Sequence, residues 1–95
     1  MRVLNETQIK SWLAHEPDWK LESGKLVRSW SFKDFVEAMV FVNRIAALAE
    51  QAGHHPDIDI RYNKVRLGLV THDAGGITEQ DAGMATRISD LAKQR

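Results

Sequence analysis

The sequence reads as an α+β fold, a four-stranded antiparallel sheet with three helices packed on one face in the order αββαββα. Three observations predict it. Segments with apolar residues at the i, i+3, i+4 spacing of an amphipathic helix stand near the start, in the middle and at the end of the chain. Between them lie two pairs of short extended runs, Trp19–Glu22 with Lys25–Trp30 and Asp57–Tyr62 with Val65–His72, each broken by turn-forming residues. A length of 95 residues without a linker-like tract fits a single domain over residues 1–95. Two hairpins alternating with three helices are satisfied by one helix layer on one sheet.

A first helix is expected from about Glu6 to Glu16. Leu4 and Ile9 flank Asn5 as a hydrophobic staple, Gln8 completes a variant capping box, and Pro17 ends the helix. Ile9, Trp12 and Leu13 form its apolar stripe. Ser23 and Gly24 then turn the first hairpin. Ser31, with Asp34 three residues later, is expected to open the longest helix, which runs to about Ala52 before Gly53 takes a left-handed position. Phe32, Phe35, Met39, Val42, Ala46 and Ala49 make one stripe on it, and Ala38, Phe41, Ile45 and Leu48 an adjoining one. That face is wider than a sheet covers, so the excess is expected to meet another helix or another subunit. Ile58, Ile60 and Tyr62 alternate with Asp57, Asp59 and Arg61, as in a strand with one solvated face. Asn63 and Lys64 are expected to turn the chain, with Asn the better suited to a positive φ. Val65, Leu67 and Leu69 repeat the alternation up to His72, Gly75 and Gly76 form a loop, and Thr78 caps a last helix carrying Met84, Ile88 and Leu91.

Composition excludes several function classes. Thirteen basic and thirteen acidic side chains balance without long runs of one sign, so no nucleic-acid footprint is visible. The longest apolar runs, Ala38–Val42 and Ile45–Ala49, fall far short of the roughly 20 residues of a membrane span. Glu6 and Lys10 stand where a signal peptide would be apolar, so a cytoplasmic protein is expected. Without cysteine there is no thiol nucleophile and no thiolate metal site. A chain this short buries only about 60 to 65% of its unfolded surface, which favours self-association.

The residues suited to chemistry are histidines. His54, His55 and His72 fall at the ends of expected elements, where side chains can project into a cleft. His15 is read as a solvated residue near a helix end. The imidazole pKa of about 6.5 leaves both protonation states accessible near neutrality, so a pair could donate and accept in one reaction. Glu50, four residues before His54, could orient an imidazole or bind a donor, or simply be exposed in the last helical turn. Asp81, three residues after Thr78, suits a capping box and a pocket alike. No HExxH or comparable metal spacing occurs, nor a GxSxG elbow, and two adjacent glycines do not make a phosphate loop. Of the three tryptophans, Trp12 and Trp30 suit the core, and Trp19 is the best placed to reach a pocket edge.

The series Glu50, His54, His55, Pro56, Tyr62, His72 and Asp81 is similar in residue type and spacing to the signature of the pterin-4a-carbinolamine dehydratase family. The stretches WSFKDFVEAM, AEQAGHHP and YNKV extend the resemblance over roughly Trp19 to the C-terminus. The resemblance implies the α+β fold, no bound cofactor, and a homodimer joined through sheet edges or a homotetramer packed through the long helices. No metal is expected, because no thiolate is available and the histidines are wanted as free acids and bases. It implies a lyase that dehydrates a 4a-hydroxytetrahydropterin to the quinonoid dihydropterin, in support of tetrahydrobiopterin recycling. His54 and His72 would be acid and base, His55 would bind and position the pterin, and Glu50, Asp81, Trp19 and Pro56 would contribute to the substrate pocket. The same family includes binding modules that stabilise a homeodomain transcription factor dimer or assist Rubisco assembly. A non-catalytic role on this fold is therefore the alternative, as is a pterin reaction of another pathway, and the histidine set favours the enzyme.

Overall fold

The computed structural model describes residues 2–94. Its elements follow the expected order: α1 (Glu6–His15), β1 (Lys20–Glu22), β2 (Lys25–Ser31), α2 (Phe35–Ala52), β3 (Asp57–Arg61), β4 (Lys64–Leu69) and α3 (Glu79–Ala92), with a 3₁₀ turn at His72–Ala74 between β4 and α3. The strands form one antiparallel sheet in the order β1-β2-β4-β3. Each hairpin keeps its own strands together, and the β2–β4 pairing joins the hairpins across the centre.

The register explains the single covered face. Leu26 pairs with Leu69, Arg28 with Leu67 and Trp30 with Val65, so these side chains share one side of the sheet. Val65, Leu67 and Leu69 are fully buried there beneath Ala38, Phe41, Ile45 and Ala49 of α2 and Met84, Ala85 and Ile88 of α3. Burying a side chain of this size stabilises the fold by about 1.5 to 3 kcal/mol, so this one cluster dominates the folding free energy. Ser29, Ser31, Lys64 and Arg66 point to the other side and remain exposed.

Local chemistry sets most boundaries. Asn5 and Gln8 form the reciprocal capping box of α1, with both bonds at 2.8 Å. Ser23 and Gly24, both at positive φ, make the tight turn of the first hairpin. Gly53 ends α2 at φ 65°, in the left-handed region where a Cβ would be strained.

Three expectations are corrected. α2 is capped by Asp34, whose carboxylate accepts from the Glu37 amide at 2.9 Å, and not by Ser31. Ser31 is still in the sheet opposite Lys64, and the Phe32 amide extends the ladder by donating to the Asn63 carbonyl. The second hairpin turns at Tyr62 and Asn63 rather than Asn63 and Lys64, with Tyr62 at φ 54°. Asn63 is held by Phe32 through both its backbone and its side-chain amide, which donates to the Phe32 carbonyl at 2.7 Å, so the left-handed position falls on its neighbour. Finally, β3 is exposed on both faces. Ile58 and Ile60 point to the helix side opposite Leu67 and Val65, but β3 lies at the sheet edge, beyond the cover that α2 and α3 give to β4 and β2.

Candidate active site

The site grows out of the end of α2. After the left-handed turn at Gly53, the His54 amide bonds back to the Ala49 carbonyl at 3.2 Å, which fixes where its side chain leaves the backbone. His54 is 8% exposed as a residue, and its Nε2 lies 2.6 Å from Asp81 Oδ1. His55, one residue on, faces outward and pairs with Glu50 in the last turn of α2. Pro56, half-buried, carries the chain into β3.

Asp81 occupies the first turn of α3, where the helix dipole favours a negative charge. It is fully buried. Its Oδ2 accepts from the Thr78 amide at 2.8 Å, closing the capping box that the Thr78-to-Asp81 spacing predicts, and from the Thr71 hydroxyl at 2.7 Å. Its Oδ1 is left for His54. A carboxylate only accepts, so Nε2 of His54 carries a hydrogen toward it. The capping reading of Asp81 is thus met. Asp81 has no exposed surface, so the structure sets it behind His54 rather than at an open pocket wall.

His72 opens the 3₁₀ turn rather than closing the last strand, because β4 ends at Leu69 and Thr71 starts a tight loop. The Thr71 carbonyl accepts from the amides of Ala74 at 3.1 Å and Gly75 at 3.0 Å, while the Thr71 amide donates to the Gly76 carbonyl. The His72 side chain is exposed and makes no hydrogen bond or ion pair among the described residues. The structure therefore unites His54 with Asp81 and His55 with Glu50, and sets His72 one residue from Thr71.

Trp19 is a second correction. Its ring is 2% exposed, lies edge-on to Trp12 and Trp30 at centroid distances of 6.3 and 6.0 Å, and donates from Nε1 to Ser89 Oγ at 2.9 Å. It belongs to the aromatic core, because its one polar atom finds a partner inside the protein.

A cavity of about 290 Å³ opens beside His54, lined also by Ala52, Glu79, Gln80, Gly83, Met84 and Arg87. Glu79, Gly83 and Arg87 are spaced by four, so they share one face of α3, and a Cβ added at Gly83 would meet nothing within 4 Å. Sequence reasoning passed over these residues and Thr71. The i, i+4, i+8 spacing with a central glycine was the available signal for the former; a threonine near a strand end carries none.

Among the described residues, no helix is long and apolar enough to cross a membrane. Residues 2–91 match the family model described as pterin 4 alpha carbinolamine dehydratase. A protein of Chloroflexus aurantiacus, provisionally named a pterin-4-alpha-carbinolamine dehydratase, is 53% identical over 96% of this chain and 98% of its own length. One of Acidobacterium capsulatum with the same provisional name is 55% identical over 96% and 99%. The crystal structure of a transcriptional coactivator/pterin dehydratase from Brucella melitensis superposes with a TM-score of 0.89 at 34% identity, covering 96% of this chain and 99% of that one. A pterin dehydratase-like protein identified as a RuBisCO assembly factor in the alpha-carboxysome gives a TM-score of 0.63 at 25% identity, over 78% of this chain and 86% of its own. Matched from Arg2 to Leu91 and nearly end to end with these relatives, the chain belongs to the pterin 4 alpha carbinolamine dehydratase family.

Proposed function

We propose that the protein is a hydro-lyase that removes water from a 4a-hydroxytetrahydropterin, with His54 and His72 as its acid–base pair. The observation that carries this reading is the His54–Asp81 pair, a near-buried imidazole with one nitrogen tied to a carboxylate and the other without a protein partner among the described residues. The C–O bond to the 4a-hydroxyl breaks as an acid gives that oxygen a proton, and water departs. The neighbouring ring nitrogen gives up its own proton to a base, and its electrons complete the double bond of the quinonoid dihydropterin. One proton enters and one leaves, so the pair returns to its starting state after exchange with solvent. His54 and His72 supply the two groups, one as acid and the other as base. His55, backed by Glu50, holds the pterin.

The test is turnover of an enzymatically generated 4a-hydroxytetrahydropterin by the purified protein. Dehydration well above the spontaneous rate is expected. A folded protein that adds nothing to that rate would remove the catalytic reading and leave a binding module, the role named for the carboxysomal relative.

Self-association is part of the same proposal. Val36 and Val40 are 68% and 50% exposed one helical turn apart on α2, beside Phe35 at 48%, and this apolar stripe fits a second copy of itself. Light scattering at micromolar concentration should give a multiple of 10.8 kDa, and Val40→Glu should lower it; a monomeric wild type would contradict the proposal.

A further inference from the structure

The structure assigns Thr71 as the positioning residue that sets which nitrogen of His54 is left to act, an inference that rests on the acid–base role proposed for His54. The assignment follows from the direction of four hydrogen bonds. The Thr71 hydroxyl has one hydrogen, and it is given to Asp81 Oδ2 at 2.7 Å. The contact at 2.8 Å between the Thr71 and Thr78 hydroxyls must then run from Thr78 to Thr71. Thr78 Oγ1 in turn accepts from the Gln80 amide at 3.2 Å, at the first turn of α3. The chain thus runs one way, from the Gln80 amide through Thr78 and Thr71 to Asp81, and on the far carboxylate oxygen Asp81 meets His54 Nε2. Successive donors polarise one another in such a chain.

Two features separate this from ordinary packing. Oδ2 is fully engaged by Thr71 and by the Thr78 amide, so the carboxylate cannot rotate to offer that oxygen to His54 without losing both bonds. That constraint holds Oδ1 toward His54, so the ring keeps the orientation that sets Nε2 against the carboxylate and leaves Nδ1 without a protein partner among the described residues. Thr71 is also the anchor of the loop that carries His72, since its carbonyl accepts from Ala74 and Gly75. One residue therefore ties the carboxylate behind His54 to the backbone that places His72, which gives the two histidines a common mechanical reference.

The experiment is nitrogen-15 NMR of the imidazoles in the full-length wild type, Thr71→Val and Thr71→Ser, together with steady-state dehydration kinetics. Valine keeps the shape and removes the hydroxyl; serine keeps the hydroxyl. In the wild type, His54 should show a protonated Nε2 and a bare Nδ1. Thr71→Val should give a mixture of tautomers and a kcat lower by about 10- to 100-fold with KM little changed, the scale seen when an outer hydrogen-bond partner or a small misplacement is at issue. Thr71→Ser should restore both readouts. A folded Thr71→Val protein that kept one His54 tautomer, or a serine variant that failed to restore it, would overturn the assignment. Should Thr71→Val fail to fold, Thr71→Ala is read by the same two criteria. The tautomer is observed without substrate, so an inactive wild type would sink the functional reading while this comparison still stood or fell by itself.

Discussion

His54 and His55 are consecutive residues that each meet a carboxylate, but the side chains of His54 and Asp81 are 9% and 0% exposed, whereas those of His55 and Glu50 are 62% and 78% exposed. The same pair of functional groups is therefore placed in two different media. In the buried pair both carboxylate oxygens of Asp81 have named partners, and the geometry is held by α3, by the Thr71 loop and by the end of α2. In the exposed pair water competes for both partners, and such pairs contribute little to stability. Neighbouring positions thus present two different groups: an imidazole fixed among buried partners and one open to solvent.

The largest expected effect breaks the buried pair. Asp81→Ala leaves the Thr71 hydroxyl, the Thr78 amide and His54 Nε2 without their acceptor, and a buried donor left unsatisfied costs about 1 to 3 kcal/mol. Urea unfolding should show that loss, and kcat should fall with it. A variant within 1 kcal/mol of wild type, by the order of magnitude set for buried groups, would mean that the network is not cooperative.

Glu50→Gln sharpens the contrast from the other side. With its partner exposed, the change should move stability by less than about 0.5 kcal/mol while raising KM more than it lowers kcat, the pattern of lost binding. A stability loss comparable to that of Asp81→Ala would show that the two pairs do not differ as their burial indicates.

The parts of this architecture that depend on near neighbours were open to inspection in the amino-acid sequence. The Asn5–Gln8 and Thr78–Asp81 capping boxes, the Ser23–Gly24 turn and the Gly53 terminus each involve residues within a few positions of one another, and their chemistry does not wait on the rest of the fold. What escaped depends on distant parts. Trp19 was assigned to a pocket because nothing nearby reveals that Ser89 waits for its Nε1. Ile58 and Ile60 alternate like a half-buried strand, yet their exposure follows from the strand order, which puts β3 at the edge. Within the site, the histidines and carboxylates were legible as residue types, and their pairing was not: His54 took Asp81, 27 positions away, while nearby Glu50 went to His55. Thr71 had no local mark at all, because its role exists only once β4, the loop and α3 are assembled.

The most direct measurement is kcat for dehydration by His54→Ala, His72→Ala and His55→Ala variants, each checked for native circular dichroism. The account predicts that His54→Ala and His72→Ala each lose about 100- to 10,000-fold in kcat, the usual contribution of a positioned acid or base, while His55→Ala changes chiefly KM. Folded His54→Ala and His72→Ala proteins that both kept wild-type kcat would contradict it.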